Sequence, residues 1–242
     1  MRPPPLKADR HALFLDFDGT LVDFAQTPDG ISVGSELKHL LVKLEGAFDG
    51  ALAFVTGRAA HNLAGHLGVS FLIAGSHGAE LSEKDGTRHS LAHSNVAAEL
   101  EQARAFQKAN PAIVMEEKAG GLTLHFRRQP ELKEKTLDFL QALFAGHDQI
   151  EIIAGALMWE VREKGLDKGS AIKTLLTRPI FQNRIPVFIG DDVTDEDGFR
   201  AVNAVNGVSV KVGPGETSAR MRLPDIASVH TWLTAAITES AA

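Results

Sequence analysis

The sequence predicts an α/β protein: a doubly wound, Rossmann-like parallel sheet interrupted by an inserted α+β segment. Two observations support this prediction. Near both ends of the chain, short runs rich in Val, Leu, Ile and Phe alternate with helical stretches, which is the pattern of parallel βαβ units. In the middle, strand-like pairs joined by short turns alternate with two helical stretches, which indicates an antiparallel sheet backed by helices.

The parallel sheet is predicted from residues 1–80 and 165–242. The first part contains strands at 11–17, 51–55 and 71–74 and helices at 35–45 and 60–67. The second part contains strands at 185–190 and 207–212 and helices at 169–177, 195–204 and 227–238. The predicted strands are short and apolar, as expected for strands buried on both faces. Residues 1–10, with their run of three prolines, are expected to form a flexible arm.

The inserted segment is predicted over residues 81–164 and is expected to determine substrate specificity. A hairpin with strands at 80–84 and 87–91 is predicted around Asp85-Gly86, a dipeptide suited to a tight turn. The remaining predicted elements are helices at 95–109 and 131–145 and strands at 112–118, 121–127, 149–153 and 157–162. Pro130 suits the first turn of the second helix.

Composition restricts the classes of function. Of the 242 residues, 44% are hydrophobic and 23% are charged, as in an ordinary globular protein. The net charge of −6 argues against nucleic acid or an anionic membrane as a general partner, and small phosphorylated molecules remain candidate substrates. The absence of cysteine excludes disulfides and thiolate catalysis. No apolar run reaches the roughly 18 residues of a spanning helix and no secretory signal is evident, so a cytoplasmic protein of open oligomeric state, a monomer included, is expected.

Polar residues follow the predicted strands at the edge where α/β sheets bind ligands. The residues at strand exits and at one helix start are Asp16 and Asp18, then Thr56, Gly57 and Arg58, then Lys168, and finally Asp191, Asp192 and Asp195. Each group alone is more often a turn, a helix cap or a solvated side chain. Their order and placement together predict a phosphoryl-transfer centre, in which one carboxylate attacks phosphorus, its neighbour handles the proton and Mg²⁺ is bound by oxygen ligands.

These groups resemble the four signature motifs of the haloacid dehalogenase superfamily of phosphotransferases. The resemblance implies that Asp16 is the nucleophile that forms an aspartyl-phosphate and that Asp18 is the general acid and base. It implies that the phosphoryl group is bound by Thr56, with Gly57 and Arg58 beside it, and by Lys168. It also implies that Mg²⁺ is held by Asp16, Asp191 and the backbone carbonyl of Asp18, with Asp192 and Asp195 in supporting positions.

Polar residues alternate along three predicted strands of the inserted segment. The residues predicted to share polar faces are Glu116 and Lys118 on the first strand, Thr123, His125 and Arg127 on the second, and Glu160 and Arg162 on the third. A surface that carries both carboxylates and cations suits the hydroxyl groups of a sugar. The alternative is a polar face that only meets solvent.

A closer resemblance favours the first interpretation. Gly75-Ser76-His77-Gly78-Ala79-Glu80, the pair Glu116 and Lys118 upstream of His125-Phe126-Arg127, and Glu160-Val161-Arg162 followed by Lys164-Gly165 are similar to segments of trehalose-6-phosphate phosphatases. The resemblance implies that Glu116, Lys118, Arg127 and Glu160 bind the sugar. It leaves His77 either as a support of the site or as a strand-end histidine.

Three rival functions remain at this point. A phosphatase for another sugar phosphate, such as sucrose phosphate or mannosylglycerate phosphate, would share the core and differ in the inserted segment. A non-catalytic phosphosugar sensor would keep the fold and lose turnover. A phosphomutase would transfer the phosphoryl group to a second sugar position instead of to water.

Overall fold

The structure is a computed structural model that describes residues 1–23, 30–155 and 157–239. Its strands are β1 (His11–Leu15), β2 (Leu52–Val55), β3 (Leu72–Gly75), β4 (Glu80–Ser82), β5 (Arg88–Ser90), β6 (Val114–Lys118), β7 (Gly121–His125), β8 (Ile150–Gly155), β9 (Met158–Glu163), β10 (Ile185–Gly190), β11 (Val208–Val212) and β12 (Met221–Leu223). Its α-helices are α1 (Ser35–Ala47), α2 (Ala60–Leu67), α3 (Ala97–Ala109), α4 (Lys133–Leu143), α5 (Lys168–Leu176), α6 (Asp195–Ala204) and α7 (Ile226–Glu239). No helix in the described ranges is long and apolar enough to span a membrane.

The chain divides into two compact units. The core unit comprises Met1–His89 and Asp167–Ala242, and the inserted unit comprises Ser90–Leu166. All the predicted strands and helices are present, with ends that differ by at most two residues. The short strand β12 was not predicted. The predicted α/β fold class is therefore confirmed.

Strand β1 lies in the middle of the core sheet, whose order is β12-β11-β10-β1-β2-β3-β4-β5. It pairs in parallel with β10 on one side and with β2 on the other. The chain thus builds the sheet outward from β1 in both directions, which makes the carboxyl end of β1 a topological switch point. Asp16 follows β1 directly, at the position where such sheets bind ligands.

The central strands are apolar on both faces because helices cover both faces. On one face, Leu15 of β1 belongs to an apolar cluster with Leu41 of α1 and Leu233 of α7. On the other face, the rings of Phe14 and Phe181 lie 5.0 Å apart between centroids. Burial of each such side chain contributes about 1.5–3 kcal/mol. The packing leaves β1 little freedom to shift, so the loop that follows it starts from a rigid position.

The hairpin belongs to the core sheet and not to the inserted sheet, so its sequence-based assignment to the inserted segment was wrong. Strand β4 pairs antiparallel with β3, with Leu81 opposite Ala74, and β5 follows β4 at the edge of the same sheet. Leu81 is buried, and this burial favours pairing with the core sheet. Alternation along the hairpin predicts a strand pair but does not specify which sheet the pair will extend.

The first residues of the chain are held against the core unit, so the predicted flexible arm was wrong. Leu6 is only 4% exposed and joins the main apolar cluster. The indole N–H of Trp232 donates to the Pro4 carbonyl at 2.8 Å, and the Arg222 N–H donates to the Met1 carbonyl at 2.9 Å. The burial of Leu6 and the two hydrogen bonds to backbone carbonyls hold this proline-rich stretch against the rest of the core unit.

The inserted unit contains an antiparallel sheet in the order β6-β7-β9-β8. Its apolar face, which includes Leu124 and Val161, packs with Ala103 of α3 and Leu140 of α4. Arg127 does not lie on this sheet, contrary to the predicted strand at 121–127. Strand β7 ends at His125, and a hydrogen bond from the Gln129 N–H to the Phe126 carbonyl closes a turn ahead of Pro130.

Leu6→Ala is expected to lower the free energy of unfolding by about 2–4 kcal/mol, because it removes a buried side chain and leaves a cavity. Urea denaturation followed by tryptophan fluorescence would measure the change. Lys7→Ala is the matched control, since Lys7 is exposed, and should change stability by less than about 0.5 kcal/mol. Equal stabilities of Leu6→Ala and wild type would contradict the structural role of the first residues.

Candidate active site

A buried lysine links two carboxylates at the carboxyl edge of the core sheet. Helix α5 begins at Lys168 because Asp167 and Ser170 form a capping box, with the Asp167 carboxylate accepting from the Ser170 N–H at 2.7 Å. Lys168 is 3% exposed, and its Nζ lies 2.8 Å from Asp16 Oδ1 and 2.7 Å from Asp195 Oδ1. The cap therefore sets the point where the lysine reaches the carboxylates.

Asp195 organises the loop after β10. Its Oδ2 accepts hydrogen bonds from the backbone N–H groups of Asp191 and Asp192, both at 2.9 Å. Gly190 makes this approach possible, because a Cβ on that residue would lie 2.2 Å from the Asp195 carboxyl carbon. Asp192 instead accepts from the Thr194 N–H and hydroxyl, at 2.8 and 2.7 Å. The loop thus presents the Asp191 carboxylate towards Asp16.

Two further side chains of this centre, those of Thr20 and Lys211, were not predicted from the sequence. The Thr20 hydroxyl donates to Asp16 Oδ2 at 3.0 Å and lies 3.3 Å from Asp191 Oδ1. The Lys211 ammonium donates to the Asp191 carbonyl and, at 2.8 Å, to the Val212 carbonyl. The available sequence signals were a hydroxyl four residues after Asp16 and a lysine inside the apolar strand β11. Neither has a spacing that is specific to a phosphoryl-transfer site.

The buried carboxylates carry more negative charge than Lys168 balances. Burial raises the pKa of Asp16 to about 7, and Asp191 and Asp192 add to the increase while Lys168 opposes it. Burial also raises the pKa of Asp195 to about 7, and its repulsion with Asp16 adds to this. For Asp191, burial and the charges of Asp195 and Asp192 raise the pKa to about 6. Burial by itself would lower the pKa of Lys168, but the charges of Asp16 and Asp195 raise it.

These carboxylates fit a divalent cation. One oxygen from each of Asp16, Asp191 and Asp195 lies within 4.8 Å of the others. Hard cations prefer such oxygen ligands, and the charge of a cation would offset the burial and the mutual repulsion that raise the three pKa values. The supporting position expected for Asp195 stays a prediction; its Oδ1 accepts from Lys168 and its Oδ2 accepts from two backbone N–H groups. The expected contribution of Asp18 is its backbone carbonyl.

Asp18 lies beside Arg58. The Nε and Nη2 atoms of Arg58 lie 2.5 and 2.9 Å from the two carboxylate oxygens of Asp18. The Nη1 atom of Arg58 donates to Asn62 Oδ1 at 2.7 Å. The structure thus brings together two predicted site residues that had been assigned different tasks, and it adds Asn62, which no sequence motif indicated.

The loops after β2 and β3 hold each other in place. The N–H groups of Ser76 and His77 donate to the carbonyls of Arg58 and Thr56, at 2.7 and 3.0 Å. Ser76 and His77 have φ values of 50° and 54°, a left-handed backbone that costs about 1–2 kcal/mol for such residues. Gly57 faces the His77 ring so closely that a Cβ would lie 2.5 Å from it. His77 therefore supports the Thr56-Gly57-Arg58 loop through its backbone and its ring.

Glu80 completes this support. Its Oε1 accepts from the Ala60 N–H at 2.8 Å and from the Ser76 hydroxyl at 2.9 Å. Helix α2 has no side-chain cap from Ala59, so the Glu80 carboxylate satisfies one of its first N–H groups instead. The motif around Ser76 and His77 thus positions the neighbouring loop.

In the inserted unit, three of the four predicted sugar-binding residues share one face of the sheet. Thr123 of β7 lies opposite Glu116 of β6 and opposite Glu160 of β9. Lys118 Nζ lies 2.7 Å from Glu160 Oε1, and His125 Nε2 lies 3.5 Å from Glu116 Oε2. The fourth predicted residue, Arg127, is exposed in the turn after β7.

Comparison with known proteins identifies the family. A family model described as trehalose-phosphatase matches residues 14–226, most of the chain. The chain belongs to the trehalose-phosphatase family. This confirms the resemblance to trehalose-6-phosphate phosphatases.

Individual relatives of this family span most of the chain. The trehalose-6-phosphate phosphatase of Escherichia coli (strain K12) is 35% identical over 234 residues, which are 95% of this chain and 87% of the relative. A probable trehalose-phosphate phosphatase of Sinorhizobium fredii is 38% identical over 213 residues, 85% of this chain and 79% of the relative. The C-terminal domain of the C. albicans trehalose-6-phosphate phosphatase has a TM-score of 0.77 and 25% identity, covering 95% of this chain and 92% of that one.

Divalent cations are expected to bind at least about a hundredfold more weakly at about pH 5 than at about pH 8. The pKa values of Asp16 and Asp191 are raised to about 7 and about 6, so at the lower pH the cation must displace protons from both groups. Titration calorimetry with Mg²⁺ in buffers of different ionisation enthalpy would measure the affinity and the protons released.

Two variants control this measurement. Asp191→Asn should weaken cation binding and reduce its pH dependence. Asp85→Asn removes an exposed carboxylate far along the chain from the centre and should leave the binding unchanged. An affinity of wild type that does not change between the two pH values would contradict cation binding by these carboxylates.

Proposed function

We propose that this chain hydrolyses trehalose 6-phosphate to trehalose and inorganic phosphate, the last step in making the disaccharide. The observation that carries the proposal is the buried group of Asp16, Lys168 and Asp195 at the switch point of a sheet whose chain belongs to the trehalose-phosphatase family. Its relatives are named as phosphatases, which supports assignment as a phosphomonoester hydrolase. We also propose a cytoplasmic location, which a sequence without cysteine fits.

The first half-reaction forms a covalent intermediate. A carboxylate oxygen of Asp16 bonds to phosphorus while the bond between phosphorus and the sugar oxygen breaks. Asp18 enters this step with the proton that it takes up in the second half-reaction and gives it to the departing sugar oxygen, so the sugar leaves as an alcohol and Asp18 becomes a carboxylate. Lys168 and the Thr20 hydroxyl contact the two Asp16 oxygens and hold the carboxylate in one orientation.

The second half-reaction returns the enzyme to its starting state. Asp18, now a carboxylate, takes a proton from water as the water oxygen bonds to phosphorus. The bond between phosphorus and Asp16 breaks, and phosphate leaves. Aspartate suits this cycle as nucleophile because its acyl-phosphate is readily hydrolysed.

The transferred phosphoryl group needs positive charge and N–H donors around it. We assign this task to Thr56, Gly57 and Lys168, whereas the guanidinium of Arg58 contacts the Asp18 carboxylate. Mg²⁺ would be held by Asp16, Asp191 and the Asp18 carbonyl, with Asp195 and Asp192 beside them. When bound, Mg²⁺ lowers the repulsion between the carboxylate nucleophile and the phosphate.

We assign selection of the sugar to the inserted segment, residues 81–164 in the sequence-based division. Glu116, Lys118 and Glu160 offer carboxylates and an ammonium group on one face of its sheet, a mixture suited to sugar hydroxyls. Burial by itself would raise the pKa of Glu116, but His125 and Lys118 lower it. This carboxylate therefore remains an acceptor at neutral pH. Arg127 is the fourth proposed contact.

Trehalose 6-phosphate is expected to release phosphate in the presence of Mg²⁺ much faster than sucrose phosphate, mannosylglycerate phosphate or glucose 6-phosphate, and a chelator should abolish the activity. Asp16→Asn should lose turnover by at least about four orders of magnitude while keeping the fold, because the amide cannot serve as the nucleophile. A phosphate-release assay on this panel gives the result.

The rivals predict other outcomes. Equal rates across the panel would contradict selection of trehalose 6-phosphate. Calorimetric binding without phosphate release would indicate a sensor, and an isomeric sugar phosphate as product would indicate a mutase. A variant Asp16→Asn with a tenth of wild-type activity would refute the nucleophile assignment.

Lys118→Met is expected to lower kcat/KM for trehalose 6-phosphate by about tenfold or more, because it removes an ammonium group that pairs with Glu160. The activity on p-nitrophenyl phosphate, which has no sugar, should change by less than about twofold. Arg104→Met is the matched control, since Arg104 forms an exposed ion pair with Glu117 in the same unit. Equal losses of Lys118→Met on both substrates would contradict a sugar-binding role.

A further inference from the structure

Asn62 lies at the end of a short chain of contacts that leads to Asp18. Its Oδ1 accepts a hydrogen bond from Arg58 Nη1 at 2.7 Å. The same guanidinium meets both oxygens of Asp18 in a forked, two-point contact of 2.5 and 2.9 Å. Neither the motifs of the sequence nor the proposed mechanism gives Asn62 a task.

The three residues differ in how rigidly their backbones are held. Asp18 lies in the turn after β1, where its backbone forms an isolated bridge with Val22. Arg58 lies in the loop after β2, whereas Asn62 lies in the first turn of α2. A residue on a helix is positioned more precisely than one on a loop. The contact with Asn62 thus connects the guanidinium to a regular element.

The guanidinium is a planar fork, so fixing one end of it fixes the other. The carboxylate of Asp18 meets Nε and Nη2, and the amide of Asn62 meets Nη1. The Arg58 side chain is only 11% exposed and that of Asp18 is 21% exposed, so water competes little for these contacts. Rotation of the guanidinium would break the contacts with both partners together.

We propose that Asn62 is a positioning residue for the general acid, acting through Arg58 to hold the Asp18 carboxyl group in the orientation that protonates the leaving oxygen. This inference rests on the proposed function, in which Asp18 is the acid and base. A proton donor must reach the leaving oxygen at hydrogen-bond distance, and general acid catalysis contributes about 10²–10⁴-fold when it does. The proposal gives Arg58 the task of orienting Asp18 in place of the expected binding of phosphate.

A series of phosphate esters with leaving groups of increasing basicity tests the proposal. A good leaving group such as p-nitrophenolate departs without a proton, whereas phenolate, benzyl alkoxide and a sugar alkoxide increasingly need one. The value of kcat/KM reports steps up to the first phosphoryl transfer, where the acid acts. The test therefore measures kcat/KM for p-nitrophenyl, phenyl and benzyl phosphate and for trehalose 6-phosphate, with Mg²⁺ present.

Asn62→Leu keeps the size of the side chain and removes the acceptor. We expect it to lower kcat/KM by less than about threefold for p-nitrophenyl phosphate and by at least about tenfold for benzyl phosphate and trehalose 6-phosphate. Arg58→Lys should show the same trend, because an ammonium group cannot make the two-point contact. Asn62→Asp keeps an acceptor oxygen and should restore activity on the esters with poor leaving groups.

His61→Ala is the matched control, since His61 is an exposed neighbour on the same helix, and it should follow wild type on every ester. Equal losses of Asn62→Leu on all four esters would overturn the proposal, as would no loss on benzyl phosphate. If Arg58→Lys lowered kcat/KM equally for all four esters, Arg58 would be assigned to binding of the phosphate instead. Wild type active on aryl esters but not on trehalose 6-phosphate would refute the proposed substrate while the leaving-group trend still decides the role of Asn62.

Discussion

The structure of the site depends on one buried ammonium group between two carboxylates. Lys168 contacts Asp16, which follows the first strand, and Asp195, the first residue of helix α6. Loss of a partner in such a buried pair leaves an uncompensated charge, which costs more than the pair itself contributes. The orientation of Asp16 is therefore coupled to the path of the 191–195 loop and to the start of α5. A change in any one of these features alters the balance of charge around Lys168.

The fold was largely predictable because its signals are periodic and local. Alternating apolar runs and helical stretches determine which elements form. Asp16 and Asp191 meet because the parallel neighbours β1 and β10 end at one edge of the sheet, and Lys168 reaches Asp16 from the start of α5. The assignment of the hairpin to a sheet failed, since pairing partners depend on tertiary contacts of residues such as Leu81. The order of the first residues was missed for the same reason, because Trp232 lies at the other end of the chain.

The contacts within the site were harder to predict than its members. Order along the chain indicates which carboxylates converge, but not that one oxygen each of Asp16, Asp191 and Asp195 lies within 4.8 Å of the others. The contact between Arg58 and Asp18 depends on side-chain rotamers of residues forty positions apart. Thr20, Asn62 and Lys211 carry no distinctive spacing, so only their distances to other residues reveal their contacts.

The capping box at Asp167 has a consequence for how insertions in this architecture can vary. The inserted unit ends at Leu166, and the chain re-enters the core one residue before Lys168. The re-entry point is thus defined by the reciprocal hydrogen bonds of Asp167 and Ser170, and not by the length or identity of the preceding segment. Insertions of different size are therefore compatible with an unchanged position of Lys168, provided that each one delivers the chain to this cap.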